Sequence, residues 1–469
     1  MGFVVYDLET TGLLKNFDQI VQFAAIQTDV DLNEISRAEF RCRLLPHILP
    51  SPAALEITSA TISGLTNPES LSFYEMSCRI AELFSRWTPT VFLGFNSIRF
   101  DEEFIRQALF QCLHWPFATN TNGNSRADVL NLCRAASALD STSIRFLRNS
   151  NGRASFRLVD LASANGIAIS KSHNAMADAE ATLGLCKIVS QRVPDLWSNF
   201  LRFSQKAAAA EFLEHEKVFV RYDYFRGEER IDVLAFIGVN DERPNIHYCL
   251  DLNQDLEVLQ NLADDELLER LKREPWPVRR IKVNTAPLLF SLSDVLPEHL
   301  NGFDHAQLNA KAQMIFQNQV LVDRLMRAAR KSEFLYEKSP HVERQIYDPP
   351  FFSAEDRSRM QLFHSVNWQD RVKIVSEFDD ERLRRLGRRL IFYECPELLP
   401  EKARKGIERQ IAERLLNNSE PLTWLTIPQV IGQLDKLRDE NKEEYKAEFL
   451  QYRNYLNDLS EKCRQSLRE

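Results

Sequence analysis

The apolar positions of the chain change their period twice. Near the N-terminus FVVYDLE, IVQFAAIQTDV and TVFLGFN are short strand-like runs, while DEEFIRQALFQCL and ADAEATLGLCKIVSQRV place apolar residues at helical spacing. Strands mixed with amphipathic helices predict an α/β domain whose helices cover a sheet. From about 215 to 290 the pattern turns to the β-rich runs KVFVRYDYF, RIDVLAFIGV, NIHYCLDL and RRIKVN, interrupted by one helical stretch near 257–273. This predicts a small, barrel-like α+β module. Beyond the Pro-Pro of YDPPFFSAEDRSRM the chain reads as almost wholly helical, with Ser353-x-x-Asp356 as a capping signal. Leu and Tyr at helical spacing continue this through 420–469. The expected division is 1–195, 196–345 and 346–469.

Composition narrows the class. At 469 residues the chain is too long for one ordinary core. No run approaches the ~20 apolar residues that span a bilayer. The strand-like MGFVVYDLE carries no basic leader, and Tyr6 breaks the myristoylation pattern, so a cytoplasmic location without a membrane anchor is expected. The eight cysteines are scattered, with no C-x-x-C pair and no Cys/His cluster at zinc spacing, and they read as reduced, mostly buried small hydrophobes. A net charge of −8 argues weakly against a nucleic-acid binder. The total misleads where carboxylates are concentrated for a metal, so local groups matter more.

Those groups are specific. In YDLETTG, Asp7 and Glu9 lie two apart on a strand and share one face. NSIRFDEEFI places Asp101 at a strand-to-helix junction, and SHNAMADAEATLGL places Asp178 at or near a helix start with His173 in the loop before it. Five residues of helix separate two side chains by about 140°, so His173 belongs to the loop, where it suits a general base outside the metal shell. Four crowded carboxylates raise one another's pKa unless cations intervene. Two Mg²⁺ ions, with Mn²⁺ able to substitute, match hard oxygen ligands and serve in-line phosphodiester hydrolysis. A lone D-x-E arises by chance in many proteins; the four elements in this order do not.

YDLETTG, NSIRFDEEFI and HNAMADAEAT resemble the motifs of the DEDD exonuclease superfamily in its histidine-bearing branch. With SFRLVDLASANGI and FFSAEDRSRM, the chain resembles the bacterial exonuclease I family over most of its length. The resemblance implies a ribonuclease-H-like exonuclease domain, a small β-barrel of the Src-homology type, and a helical C-terminal domain closing over single-stranded DNA. It implies Asp7, Glu9, Asp101 and Asp178 as metal ligands, Glu9 also touching substrate, His173 as general base, and Arg157 near a phosphate. The implied activity is a 3′→5′ exodeoxyribonuclease that releases 5′-mononucleotides by two-metal hydrolysis in DNA repair and recombination. The implied partner is the acidic C-terminal tail of single-stranded-DNA-binding protein, met by a monomeric enzyme. Two departures are visible: Thr11 stands where the family tends to carry an aromatic residue, and IFYEC replaces an arginine-bearing stretch before Pro396.

Other basic features carry two readings each. Arg145, Arg148, Arg153 and Arg157 fall in an acid-free stretch, suited either to a phosphate backbone or to solvent. Arg221, Tyr222, Tyr224, Phe225 and Arg226 interleave charge and aromatic rings as single-strand binders do, although strand alternation favours core packing for the two tyrosines. RLRRLGRR lines a DNA channel or pairs with the preceding FDDE. The rival functions are an RNA-trimming or proofreading exonuclease and a non-catalytic DNA-binding protein.

Overall fold

Alternation in FVVYDLET sends two different faces of one strand into two different cores. In the computed structural model, which describes residues 2–139, 142–148, 152–168, 174–333, 338–419, 423–440 and 447–468, this strand, β1 (Phe3–Thr10), is the centre of a five-stranded sheet. The others are β2 (Ile20–Thr28), β3 (Glu34–Arg41), β4 (Val91–Gly94) and β5 (Ser125–Asp128), in the order β3-β2-β1-β4-β5. β1 to β3 are antiparallel neighbours, whereas β4 joins β1, and β5 joins β4, in parallel. Val4, Tyr6 and Leu8 face helices Phe73–Trp87 and Asp101–Gln111 in one core. Phe3 and Val5 face helix Ala175–Arg192 in the other, with Phe3 edge-on to Trp197 at 5.6 Å.

The second sheet is antiparallel throughout. β6 (Val218–Phe225), β7 (Glu228–Val239), β8 (Ile246–Asp251), β9 (Val278–Lys282) and β10 (Leu288–Ser291) run in the order β10-β6-β7-β8-β9. The helical stretch expected near 257–273 forms as Leu256–Asn261 and Asp264–Leu271, and helices His305–Gln317 and Gln319–Lys331 complete the α+β module. Tyr222 is buried. Tyr224 receives the Arg134 guanidinium 3.6 Å above its ring, a cation–π contact that ties this sheet to helix Val129–Leu139.

The C-terminal part is helical, as the capping signals require. Ser353 accepts the Asp356 amide at 3.0 Å at the head of helix Ala354–Ser365. The buried Asp356 carboxylate in turn accepts the amides of Asp379 and Asp380, holding the turn before helix Glu381–Glu394. In RLRRLGRR, Arg382 is an internal staple: it donates to the carbonyls of Gln345, Asp348 and Pro350 and pairs with Asp380. Arg384 pairs with Glu381 and Arg389 with Glu343, so these three arginines are engaged within the fold. Residues of this helix share the core beneath Val4 and Tyr6. The last helix, Ala447–Arg468, packs back on the N-terminal part, where Tyr452 donates to the Pro50 carbonyl at 2.7 Å. No helix among the described residues is long and apolar enough to cross a membrane.

Candidate active site

The face of β1 that carries Phe3 and Val5 continues to Asp7 and Glu9. Helix Ala175–Arg192 covers the first pair and begins near the second, so the carboxylates emerge where the apolar cover stops. Asn174 caps that helix through the Met176 and Ala177 amides, which places Asp178 in its first turn. The first turn favours a negative charge. Carboxylate oxygens of Asp7, Glu9 and Asp178 lie within 4.8 Å of one another. A register shift in the β1–β2 pairing falls between Glu9 and Thr10, a place where such irregularities re-aim side chains.

Asp101 arrives by way of β4, which pairs with β1 on the side away from β2. β4 ends at Gly94, where a Cβ would meet Ser97 Cβ at 2.5 Å and the Tyr6 carbonyl oxygen at 3.1 Å; only glycine lets the chain turn here. A 3₁₀ turn, Ser97–Arg99, then leads to Asp101, the first residue of its helix and buried. That turn is held by Asp128, whose carboxylate accepts the amides of Asn96 (2.9 Å), Ile98 (3.3 Å) and Leu130 (3.1 Å).

Electrostatics links the four acids. Asp7 is pushed well above the usual carboxylate range by burial and then by the charges of Asp101, Asp178 and Glu9. Asp101 is likewise raised, by burial and by Asp128, Glu9 and Glu102. Burial and the Asp178 charge push Glu9 up to about 7. Burial raises Asp128 to about 6 against the pull of its three amide donors. An all-oxygen donor set that repels itself is what hard divalent cations stabilise, so the residues fit such ions.

Behind Asp101 lies a buried ionic network that sequence reading did not single out. Glu102 is fully buried and accepts from Arg106 (2.9 Å), Arg126, Thr119 and Tyr6. Arg126 also reaches the Asn284 carbonyl and Arg106 the Tyr347 hydroxyl, so the Asp101 helix is tied to both following parts of the chain. Asp128 was equally hidden, since its signal is one acid in SRADVL. Leu13 and Leu14, on the loop that follows β1, are 79% and 43% exposed. Thr11 is buried instead, donating to Asp18 at 3.0 Å.

His173 lies outside the described residues, one position before the Asn174 cap. Arg145, Arg148, Arg153 and Arg157 are all exposed. Arg148 bridges to Ala154 and donates to the Gly152 carbonyl, and Arg157 stands just ahead of helix Leu158–Ala164. Phe156, between Arg153 and Arg157, packs 6.2 Å from Tyr224 of the second sheet. Arg221 and Arg226, left open by the sequence, pair with Asp232 and Glu274, and Phe225 packs on Trp276.

Comparison with known proteins covers both ends of the chain. Residues 4–186 match the exonuclease family model and residues 340–459 match the exonuclease I C-terminal domain. The chain is 30% identical over 404 residues to exodeoxyribonuclease I of Escherichia coli (strain K12), covering 82% of this chain and 83% of that one. It is similar in structure to E. coli exonuclease I bound to a dA16 oligonucleotide: TM-score 0.84, 26% identity, 98% and 99% of the two chains covered. An SSB/exonuclease I structure with the inhibitor CFAM matches at TM-score 0.82 and 26% identity, over 98% and 99% of the chains.

Proposed function

The chain belongs to the exonuclease I family, and we propose that its carboxylate cluster degrades single-stranded DNA from the 3′ end. The protein is an exodeoxyribonuclease that hydrolyses phosphodiesters 3′→5′ and releases 5′-mononucleotides, with a role in DNA repair and recombination. The observation that carries this reading is the convergence of Asp7, Glu9 and Asp178 within 4.8 Å, with Asp101 electrostatically coupled to them.

Asp7, Glu9, Asp101 and Asp178 are the proposed holders of two divalent ions, Mg²⁺ with Mn²⁺ able to substitute. When bound, these ions supply positive charge to the phosphoryl oxygens and the departing 3′ oxygen. Glu9 also meets the terminal nucleotide. His173, one position before the Asn174 cap in the sequence, takes the proton of the attacking water as the water oxygen bonds to phosphorus and the bond from phosphorus to the 3′ oxygen breaks. Arg157, with Arg145, Arg148 and Arg153 on the same exposed stretch, contacts backbone phosphates of the strand. Leu13 and Leu14 offer an apolar surface to the terminal base. The working division remains 1–195 for catalysis, 196–345 for the sheet module and 346–469 for the helical part. SSB is the proposed protein partner, through its acidic tail, of a monomeric enzyme in the cytoplasm.

The test is Asp178→Ala, assayed with Mg²⁺ on matched single-stranded DNA, duplex DNA and RNA. The parent is expected to release mononucleotides fastest from single-stranded DNA and the variant to lose this activity. Parental rates in the variant would refute the site, and equal parental rates on all three substrates would refute the specificity.

A further inference from the structure

Three residues that no local motif connects meet where two helices of the N-terminal part touch a helix of the C-terminal part. Cys78 comes from helix Phe73–Trp87, His114 from the turn after helix Asp101–Gln111, and His364 from the last turn of helix Ala354–Ser365. One ligand atom from each lies within 4.8 Å of the other two. The Cys78 Sγ is 3.4 Å from His114 Nε2 and 3.9 Å from His364 Nδ1. Tetrahedral zinc, with Zn–S ~2.3 Å and Zn–N ~2.0 Å, sets sulfur and nitrogen ligands about 3.5 Å apart, between these two values.

The surroundings prepare the ligands. His364 Nε2 lies 3.1 Å from the Leu113 carbonyl oxygen, which can only accept, so Nε2 carries the proton and Nδ1 is left with its lone pair free to accept, near the Tyr74 hydroxyl and the Cys78 thiol. A backbone carbonyl fixing the tautomer in this way is the usual support of a metal-binding histidine. The two rings lie parallel with centroids 3.7 Å apart, so a shared ion requires one ring to turn out of the stack. The Tyr74 hydroxyl, 3.0 Å from His364 Nδ1, makes the contact that an ion would replace. A pocket of about 340 Å³ beside His114 and His364 leaves room for water as a fourth ligand.

We propose that Cys78, His114 and His364 bind one zinc-class divalent ion that clasps helix Ala354–Ser365 to the N-terminal part of the chain. Sulfur and imidazole select this class and disfavour Mg²⁺, whereas the all-carboxylate cluster does the reverse, so the two sites take different metals.

The test is titration of the full-length, metal-stripped protein with Co²⁺ in excess Mg²⁺. The expected result is a near-ultraviolet thiolate-to-cobalt charge-transfer band that saturates at one ion per chain, bleaches on adding Zn²⁺, and is lost in Cys78→Ser. His364→Gln is expected to weaken binding at least tenfold, and Zn²⁺ to raise the melting temperature of the parent but not of Cys78→Ser. Nuclease activity with Mg²⁺ should persist in both variants. No such band in the parent, or an unchanged band in Cys78→Ser, overturns the proposal. The parent titration decides even if a variant fails to fold.

Discussion

Replacing Glu9 by Gln should stabilise the metal-free protein at neutral pH while abolishing its activity. Glu9 is only 8% exposed, and burial with the nearby Asp178 charge moves it from 4.5 to about 7. At about 1.36 kcal/mol per pH unit, that gap corresponds to roughly 3 kcal/mol. A raised carboxyl pKa means that the folded state holds the proton more tightly than the unfolded chain. The stabilisation from this proton is therefore complete below pH 4.5 and is lost as pH rises through about 7. Gln has no proton to lose. Denaturant unfolding of parent and Glu9→Gln in chelator, from pH 5 to 8, should show the variant gaining on the parent by up to about 3 kcal/mol and levelling off above pH 7. Excess Mg²⁺ should shrink the difference by binding the parent's folded state more tightly. A difference that stays constant across this range would refute the crowding argument, since a packing effect does not titrate.

Glu102→Gln removes the charge shared by Arg106 and Arg126, leaving two buried guanidiniums undercompensated; a loss of about 3–5 kcal/mol in denaturant unfolding is expected, with reduced activity as the Asp101 helix shifts. Gly387→Ala drives a Cβ to 2.5 Å from Val375 Cγ2, where helices Trp368–Glu377 and Glu381–Glu394 cross, and should cost about 1–3 kcal/mol by the same measurement. Arg157→Ala should weaken single-stranded DNA binding equally across sequences and lower the salt-dependence slope by about 1; an unchanged slope would remove Arg157 from the phosphate contacts.

What could be read early follows from period. β1, β2 and β4 are strong apolar runs, and the helices bearing Asp101 and Asp178 are amphipathic, so their existence and order are visible in residue patterns. β3 was not, because EISRAEFR is an edge strand with polar side chains on both faces. β5 was not, because four residues, Ser125–Asp128, are too few to show a period. Asp128 and Glu102 look like ordinary surface acids until the backbone amides of residues 96 and 98, and the guanidiniums of Arg106 and Arg126, are folded around them. The arginines of RLRRLGRR were open between DNA and internal pairing; Arg382 is decided by carbonyls 32 to 37 residues earlier.

The sequence by itself determined that Asp7 and Glu9 share a strand face and that Asp101 and Asp178 begin helices, since these depend only on a local repeat of two or 3.6 residues. Only the tertiary structure decided that Asp7, Glu9 and Asp178 converge, and that Cys78, His114 and His364 meet although no zinc spacing joins them in the chain. The physical reason is that layer packing, not neighbouring residues, brings together side chains as distant as Cys78 and His364, and a one-dimensional pattern carries no record of which layers touch.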